Sequence, residues 1–460
     1  MMVPMELYNT LSRTKETLPE PEKQLKIRLF VCGPTVYDYT HIGHARTYIF
    51  FDFFTKYLRS RGYEVNYLQN ITDIDDRIIA RAAERNMKPD ELAKEFSEAY
   101  LADMKALDVD AVTTYAPATN FISQIVAQVE RLIDKNFAYE IPGDGWYFDI
   151  SKDEDYGKLS GRTVAQAEDS VSRIDNSDAK RNKGDFCLWK FSKPGEPIWT
   201  TRIGAGRPGW HIEDTAISEY YFGPQYDIHG GADDLKFPHH EAEIAQQESA
   251  SGLKPFVRFW VHTGFLLSDG KKMSKSLGNF ITVREFLKKY PPEILRWLTL
   301  SHHYRSPFDF SDNDAKQAEA ALGNIYQKIY LLSKSNDETV TSAQNKRERY
   351  EQDFSEVLDD DLNTPKALAV MHQLIDASEI PSKDRIELLH RWGKLLGLGF
   401  ENALYNASEE AEIAQKLVQY DEFRVHKQFM QSDALRKEIE ALGYEVRDTK
   451  DGSEIVKKFF

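Results

Sequence analysis

Apolar positions alternate along LKIRLFVC, residues 25–32, where Leu25, Ile27, Leu29 and Val31 are separated by mostly polar neighbours. A period of two predicts a strand, and Gly33 and Pro34 end it. The spacing then changes. Ile49, Phe50, Phe53, Phe54, Tyr57 and Leu58 fall on a helical period, which predicts an amphipathic helix from near Gly43 to a C′ glycine at Gly62. A second strand, YEVNYLQNI, follows at once. Strand, glycine-containing loop, helix and strand make the βαβ unit of a nucleotide-binding sheet, whose ligands sit beyond the carboxyl ends of the strands. Cys32 and the segment His41 to His44 fall there.

Residues 119–205 read as an insertion. It opens with a helix carrying Phe121, Ile125, Val129, Leu132 and Ile133 and continues into a turn-rich stretch, YEIPGDGWYFDISKDEDYGKLSGR. Beyond residue 315 the pattern is mainly helical, with a polar break at 333–349 that predicts a loop or linker. In DDLNTPKALAVMHQLI, Thr364 is placed to be an N-cap and Pro365 to be N1, and Leu368, Met371, Leu374 and Ile375 form one face. That stripe reads as bundle core.

Composition narrows the class. A chain of 460 residues has length for about three domains at roughly 150 residues each. The start, MMVPMELYNTLSRTKE, lacks the apolar segment of a signal peptide. YIFFDFF is interrupted by Asp52 and is far short of the roughly 20 apolar residues of a spanning helix, so a soluble cytoplasmic chain is expected. Two cysteines, Cys32 and Cys187, exclude a disulfide framework. Cys187, among apolar neighbours in GDFCLWKF, reads as a small buried hydrophobe. A net charge of −15 argues against non-specific coating of nucleic acid but leaves room for a local basic face.

THIGHARTYIFF, residues 40–51, puts His41 and His44 at the start of the predicted helix. Free N–H groups and the helix dipole favour an anion there, and Gly43 permits its close approach. Alone, the two histidines read more readily as polar residues of a solvent-facing turn. Far downstream, SDGKKMSKSLGNF supplies Lys272 and Lys275, flanked by Gly270, Ser274, Ser276 and Gly278, in a form suited to a mobile loop. Two ammonium groups on such a loop can close over a triphosphate and stabilise departing pyrophosphate.

HIGH and KMSKS in this order resemble the paired signature of class I aminoacyl-tRNA synthetases. CGPTVYDYTHIGHAR, NITDIDDRII, GRPGWHIE and DIHGGADDLKFPHHEAEIA are similar, nearly end to end with the rest of the chain, to the cysteinyl-tRNA synthetase family. The resemblance implies an α/β fold: a Rossmann-like parallel-sheet catalytic domain (1–118 and 206–251) with a connective insertion (119–205). A stem-contact region with the lysine loop (252–315), a helical bundle (316–405) and an anticodon-recognition module (406–460) would follow. It implies ATP contacts at His41, Gly43, His44, Gly230, Lys272 and Lys275, and cysteine contacts at Cys32, Gly33, Thr72, Trp210 and His239. On sequence alone Trp210 reads as core and Thr72 as a turn residue.

The family also implies zinc, and the residues make chemical sense for it. His239 and Glu243, four apart after Pro238, share a helical face, and Cys32 ends a strand in the same pocket. His240, three before Glu243, competes with His239 as the ligand. The departure is Asp214, where the family usually carries a second cysteine. Three outcomes stay open: zinc held by Cys32, Asp214, His239 and Glu243; a metal without Asp214; or no stable metal. The implied reaction uses ATP with Mg2+ to form cysteinyl adenylate, which then esterifies tRNA(Cys); the partners are tRNA(Cys), ATP and L-cysteine, with no membrane, and the chain is expected to be a monomer. Two rivals remain, a ligase passing activated cysteine to an amino sugar and a non-catalytic tRNA-binding paralogue.

Overall fold

The structure, a computed structural model, describes residues 4–162, 179–268, 270–273, 280–335, 343–449 and 452–459. The chain divides into two units. The first comprises Met1–Leu287, His302–Phe310 and Asp359–Leu362, and the second Lys288–Ser301, Ser311–Leu358 and Asn363–Phe460.

The first unit is built on a parallel sheet of five strands: β1 (Lys26–Val31), β2 (Glu64–Ile71), β3 (Thr114–Pro117), β4 (Tyr226–Ala232) and β5 (Val257–Thr263), in the order β3-β2-β1-β4-β5. The order reverses between β1 and β4, and the two chains that part there leave a crevice at the carboxyl end of the sheet. Leu29, Phe30 and Val31 are all buried, as in a parallel sheet covered on both faces.

Helix α1 (Ile42–Ser60) links β1 to β2, as the sequence predicts, and ends with Gly62 at φ +94°. It is not amphipathic, because it crosses the unit buried on nearly every side. Phe50, Phe51, Phe53 and Phe54 are at most 2% exposed, each contributing about 1.5–3 kcal/mol of burial. Asp52, the residue that interrupts the apolar run, is also fully buried; its carboxylate accepts from the N–H groups of Asp110 and Ala111 and pairs with Lys56. A polar residue can therefore sit inside this helix because its lone pairs are used.

The insertion opens with α2 (Ile122–Asp134), whose Ile125, Val129 and Leu132 are fully buried. It continues as a five-stranded sheet of antiparallel pairs. Cys187 lies in this sheet against Tyr139, Ile141 and Tyr147, the buried role expected of it. The chain returns through α3 (Ile212–Phe222) to β4, and α4 (His239–Ser251) connects β4 to β5.

The second unit carries α5 (Asp312–Lys334), α6 (Ala343–Asp359), α7 (Thr364–Asp376), α8 (Ser382–Leu396), α9 (Ala407–Val425), α10 (Phe429–Ala441) and a terminal hairpin. Part of the predicted break at 333–349 is helix instead: residues 343–349 begin α6, and 336–342 lie outside the described residues. The polar turn is held from outside, since Arg347 pairs with Asp384 and Glu387, and further along Phe354 stacks on Trp392 at 4.1 Å. The cap of α7 is Asn363, whose side chain accepts from Lys366 N–H, so Thr364 is one position inside the helix. Leu368, Met371, Leu374 and Ile375 are buried core as expected.

Gly230, in the middle of β4, faces α1: a Cβ there would lie 2.3 Å from the Phe51 ring. Gly230→Ala is expected to lower the stability of the chain by about 1–3 kcal/mol through overpacking, read as a lower urea midpoint with the transition slope unchanged.

Candidate functional site

A cavity of about 340 Å³ opens at the switch point between β1 and β4. It is lined by residues just beyond β1 and β2, by the entrance of α1, and by the starts of α3 and α4. His41 is the N-cap of α1, its Nδ1 accepting from the His44 N–H at 3.2 Å, and the two rings stack 3.8 Å apart. This arrangement requires glycine between them, because a Cβ on Gly43 would sit 2.9 Å from His41 Nδ1. His41, Gly43 and His44 all line the cavity.

The same helix holds both ends of the lysine loop. Buried Arg46 donates to the carbonyls of Gly264 and Phe265 and to that of Ser306, fixing the chain that leads into the hairpin Leu266–Ser268 and Lys271–Lys272. Beyond the loop, Ile42 N–H donates to Ile281 O, and Val283 N–H donates to Thr40 O. Lys275, with Ser274, Ser276 and Gly278, lies outside the described residues, and Lys272 is described only as backbone.

At the foot of the cavity Gly33 passes so close to β2 that a Cβ would meet Asn70 O at 1.7 Å. Asn70 joins two parts of the site: its Oδ1 accepts from Gly33 N–H, and its Nδ2 donates to Asp214 Oδ1, both at 2.6 Å. The other Asp214 oxygen lies 3.1 Å from His239 Nε2, which is 3.0 Å from Glu243 Oε1. Thr72 donates to Glu213, and Trp210 stacks on His239 at 4.4 Å. Cys32, Gly33, Thr72, Trp210, Asp214 and His239 thus share one wall, and Glu243 is fully buried behind them. Gly230 does not line this cavity; the phenyl ring of Phe51 occupies the space beside its Cα.

Residues 19–320 match the family described as tRNA synthetases class I (C) catalytic domain, and residues 353–401 match the DALR domain. Cysteine–tRNA ligase of Thermococcus onnurineus is 42% identical, over 97% of this chain and 98% of its own. That of Methanococcus maripaludis is 41% identical, over 99% of both chains. The chain belongs to the cysteine–tRNA ligase family. The fold is shared with Mycobacterium tuberculosis methionyl-tRNA synthetase in complex with methionyl-adenylate, at a TM-score of 0.59 and 14% identity over 85% of this chain and 93% of that one. Among the described residues no helix is long and apolar enough to cross a membrane.

Ligases of this family are expected to hold a metal, and the donor set here fits one. The ligand atoms of Cys32, Asp214, His239 and Glu243 all lie within 4.8 Å of one another, all four residues are buried, and Glu243 Oε2 has no hydrogen-bond partner among the described residues. Thiolate, imidazole and carboxylate are ligands of a zinc-type ion. His240, the competitor for the ligand role, turns away from Asp214: its Nε2 faces Cys32 Sγ and its Nδ1 faces His262.

Without a cation other than a proton, these groups compensate one another. Burial opposes charging of His239, but the carboxylates of Glu243 and Asp214 outweigh it and lift the imidazole from 6.5 to about 10. Burial raises Glu243 to about 7, with His239 pulling the other way. Burial also raises the Cys32 thiol well above its ordinary value, and Glu243 and Asp214 push in the same direction. Asn70, Arg46 and His262 were not legible as site residues, nor were His211, whose Nδ1 lies 2.8 Å from His239 Nδ1, and His229, whose Nε2 lies 3.2 Å from Cys32 Sγ. Only the GG-flanked histidine DIHGG and the repeated His-rich segments offered a signal, and Arg46 stood next to the motif without a pattern of its own.

The sign for stability follows from His239. Its folded value lies above its ordinary one, so its contribution is fully present below about pH 6.5 and is lost as pH rises towards 10. In chelator-treated protein, the urea midpoint of the wild type is expected to fall between pH 6.5 and 9.5 more steeply than that of His239→Gln.

Proposed function

We infer that this chain uses ATP with Mg2+ to activate L-cysteine and transfers it to tRNA(Cys), releasing AMP and pyrophosphate. The observation that carries the reading is the placement of Cys32, Asp214 and His239 at the foot of the cavity whose entrance is formed by His41, Gly43 and His44. A thiol-selective foot and an anion-favouring helix entrance in one cavity suit one substrate with a sulfur end and a reacting carboxylate end.

The first step is in-line attack of the cysteine carboxylate on the α-phosphorus of ATP. His41 and His44, with Lys272 and Lys275 from the lysine loop, stabilise charge on the phosphates and on departing pyrophosphate. His41 Nδ1 accepts from the His44 N–H as the helix cap, and we assign Nε2 to the ligand. Thr72 and Trp210 position the amino acid. The terminal 2′-hydroxyl of the tRNA then attacks the activated carbonyl, and AMP leaves. The residues act by positioning and electrostatics, with little demand for general acid or base.

Zinc held by Cys32, Asp214, His239 and Glu243 would supply a borderline-soft Lewis acid that prefers a thiolate to the hydroxyl of serine. Shape alone separates such similar side chains only modestly. Asp214 keeps one negative charge at its position while presenting a harder oxygen, and Asn70 fixes that carboxylate.

We assign tRNA contact to residues 252–315 and 316–405, and anticodon reading to 406–460. The terminal part has its own small core of Ile413, Tyr420, Leu435, Ile439, Tyr444 and Val446, as a separate recognition module requires. Within 252–315, Arg305 is engaged by Asp361 and lies over Tyr8. The oligomeric state expected is a monomer, checked by light scattering.

Two outcomes test the reading. His44→Ala is expected to slow cysteine-dependent pyrophosphate exchange by about 100-fold or more, in the range of lost transition-state donors; an unchanged rate removes the histidine from the mechanism. Asp214→Ala is expected to raise KM for cysteine at least about tenfold with KM for ATP little changed, the pattern of lost binding at the amino-acid end.

A further inference from the structure

Behind the cavity wall, a second set of donors converges on the same thiol. Cys32 Sγ lies 3.2 Å from His229 Nε2, 3.1 Å from His240 Nε2 and 3.8 Å from Glu243 Oε1. The ligand atoms of these four residues also lie within 4.8 Å of one another. With metal–sulfur near 2.3 Å and metal–nitrogen near 2.0–2.1 Å, a tetrahedral ion spreads sulfur and nitrogen to about 3.5 Å. The observed gaps need to open by only a few tenths of an ångström.

The two imidazoles are already oriented as metal ligands are. The far nitrogen of His229 is held by the Tyr226 hydroxyl at 2.6 Å, and that of His240 by His262 Nε2 at 2.8 Å. His262 is in turn fixed by Thr10 at 2.8 Å. Partners of this kind on the outer nitrogen fix ring orientation in metal sites. Neither His229 nor His240 lines the cavity, and both are fully buried.

We propose that the metal has two alternative positions sharing Cys32 and Glu243: an inner, closed one completed by His229 and His240, and an outer, open one completed by Asp214 and His239. The inner position holds the ion when no cysteine is bound. This rests on the metal reading above. The two cannot be filled together, because the thiolate and the carboxylate are common to both.

Charge and ligand type favour the inner set at rest. One thiolate, one carboxylate and two neutral imidazoles balance a divalent ion, and a neutral assembly is the cheaper one to bury. The outer set adds a third anion and replaces a nitrogen with a hard oxygen, a less favourable exchange for a borderline-soft ion. What the outer position offers is access. Cys32, Asp214 and His239 line the cavity, so a substrate thiolate can complete the coordination there and draw the ion outward.

The test is zinc K-edge X-ray absorption on the zinc-loaded chain, with and without L-cysteine and with no ATP. Without cysteine the spectrum is expected to show one sulfur and two imidazoles. With cysteine, the sulfur count rises to two and the imidazole count falls to one. Asp214→Ala is expected to keep its zinc within about threefold of wild-type affinity, and His240→Gln to lose at least tenfold. One sulfur and one imidazole before cysteine is added, together with loss of zinc in Asp214→Ala, overturns the inner position and leaves the metal reading standing. Absence of zinc from every sample overturns both. The wild-type spectra decide the matter even where a variant fails to fold.

Discussion

Two carboxylates and a thiol buried side by side need a positive partner, and the crevice between β1 and β4 is organised around that need. Asp214 and Glu243 are each about 1% exposed or less and both face His239. Desolvating such a group without compensation costs several kcal/mol. The protein meets the cost in layers: a neighbouring imidazole takes a proton, an amide holds the free oxygen of Asp214, and a thiol and further imidazoles stand where a cation can take over. The sheet order makes this possible, because only at the switch point do β1, β2 and β4 deliver residues to one spot with no crossing helix in the way.

Helix α1 ties this spot to the phosphate end. Its first turn is the anion-favouring entrance, its Arg46 fixes the chain before the lysine loop, and its backbone fixes the chain after it. The described chain on either side of the lysine loop, more than 200 residues from His41 in sequence, is therefore anchored at the start of this helix. The burial of α1 on nearly every side gives that anchor a rigid support.

Much of this was legible in the sequence where a single residue type has few uses. The strand β1, the helix α1, Gly62, the buried stripe of α7 and the i, i+4 pair His239 and Glu243 emerge as read, although Leu25 lies exposed outside β1 and α1 is buried instead of amphipathic. Errors arose where tertiary contacts override local pattern. The start of α6 reads as linker because its support comes from Asp384 and Glu387 on another helix. Gly230, an ATP contact by resemblance, does not line the cavity, and its missing side chain makes room for Phe51. The imidazole layer behind Cys32 spans β4, α4 and β5, and no one-dimensional spacing registers a cluster assembled from three crossing segments.

The insertion shows a different economy. β3 is the edge strand, and the chain must in any case travel from that edge past β2 and β1 before β4 can form. A connection that is long already grows at little cost, since each doubling of a loop adds only about 0.6 kcal/mol of closure entropy. Loops within the sheet that follows α2 can therefore lengthen or shorten at little cost, whereas α2 itself is held by the core it shares with α3 and α4. The nine residues between Cys32 and Ile42 have no such freedom, because the carbonyl of Asn70 and the ring of His41 fill the space at both ends. A change in chain length is thus cheap on one side of the crevice and costly on the other.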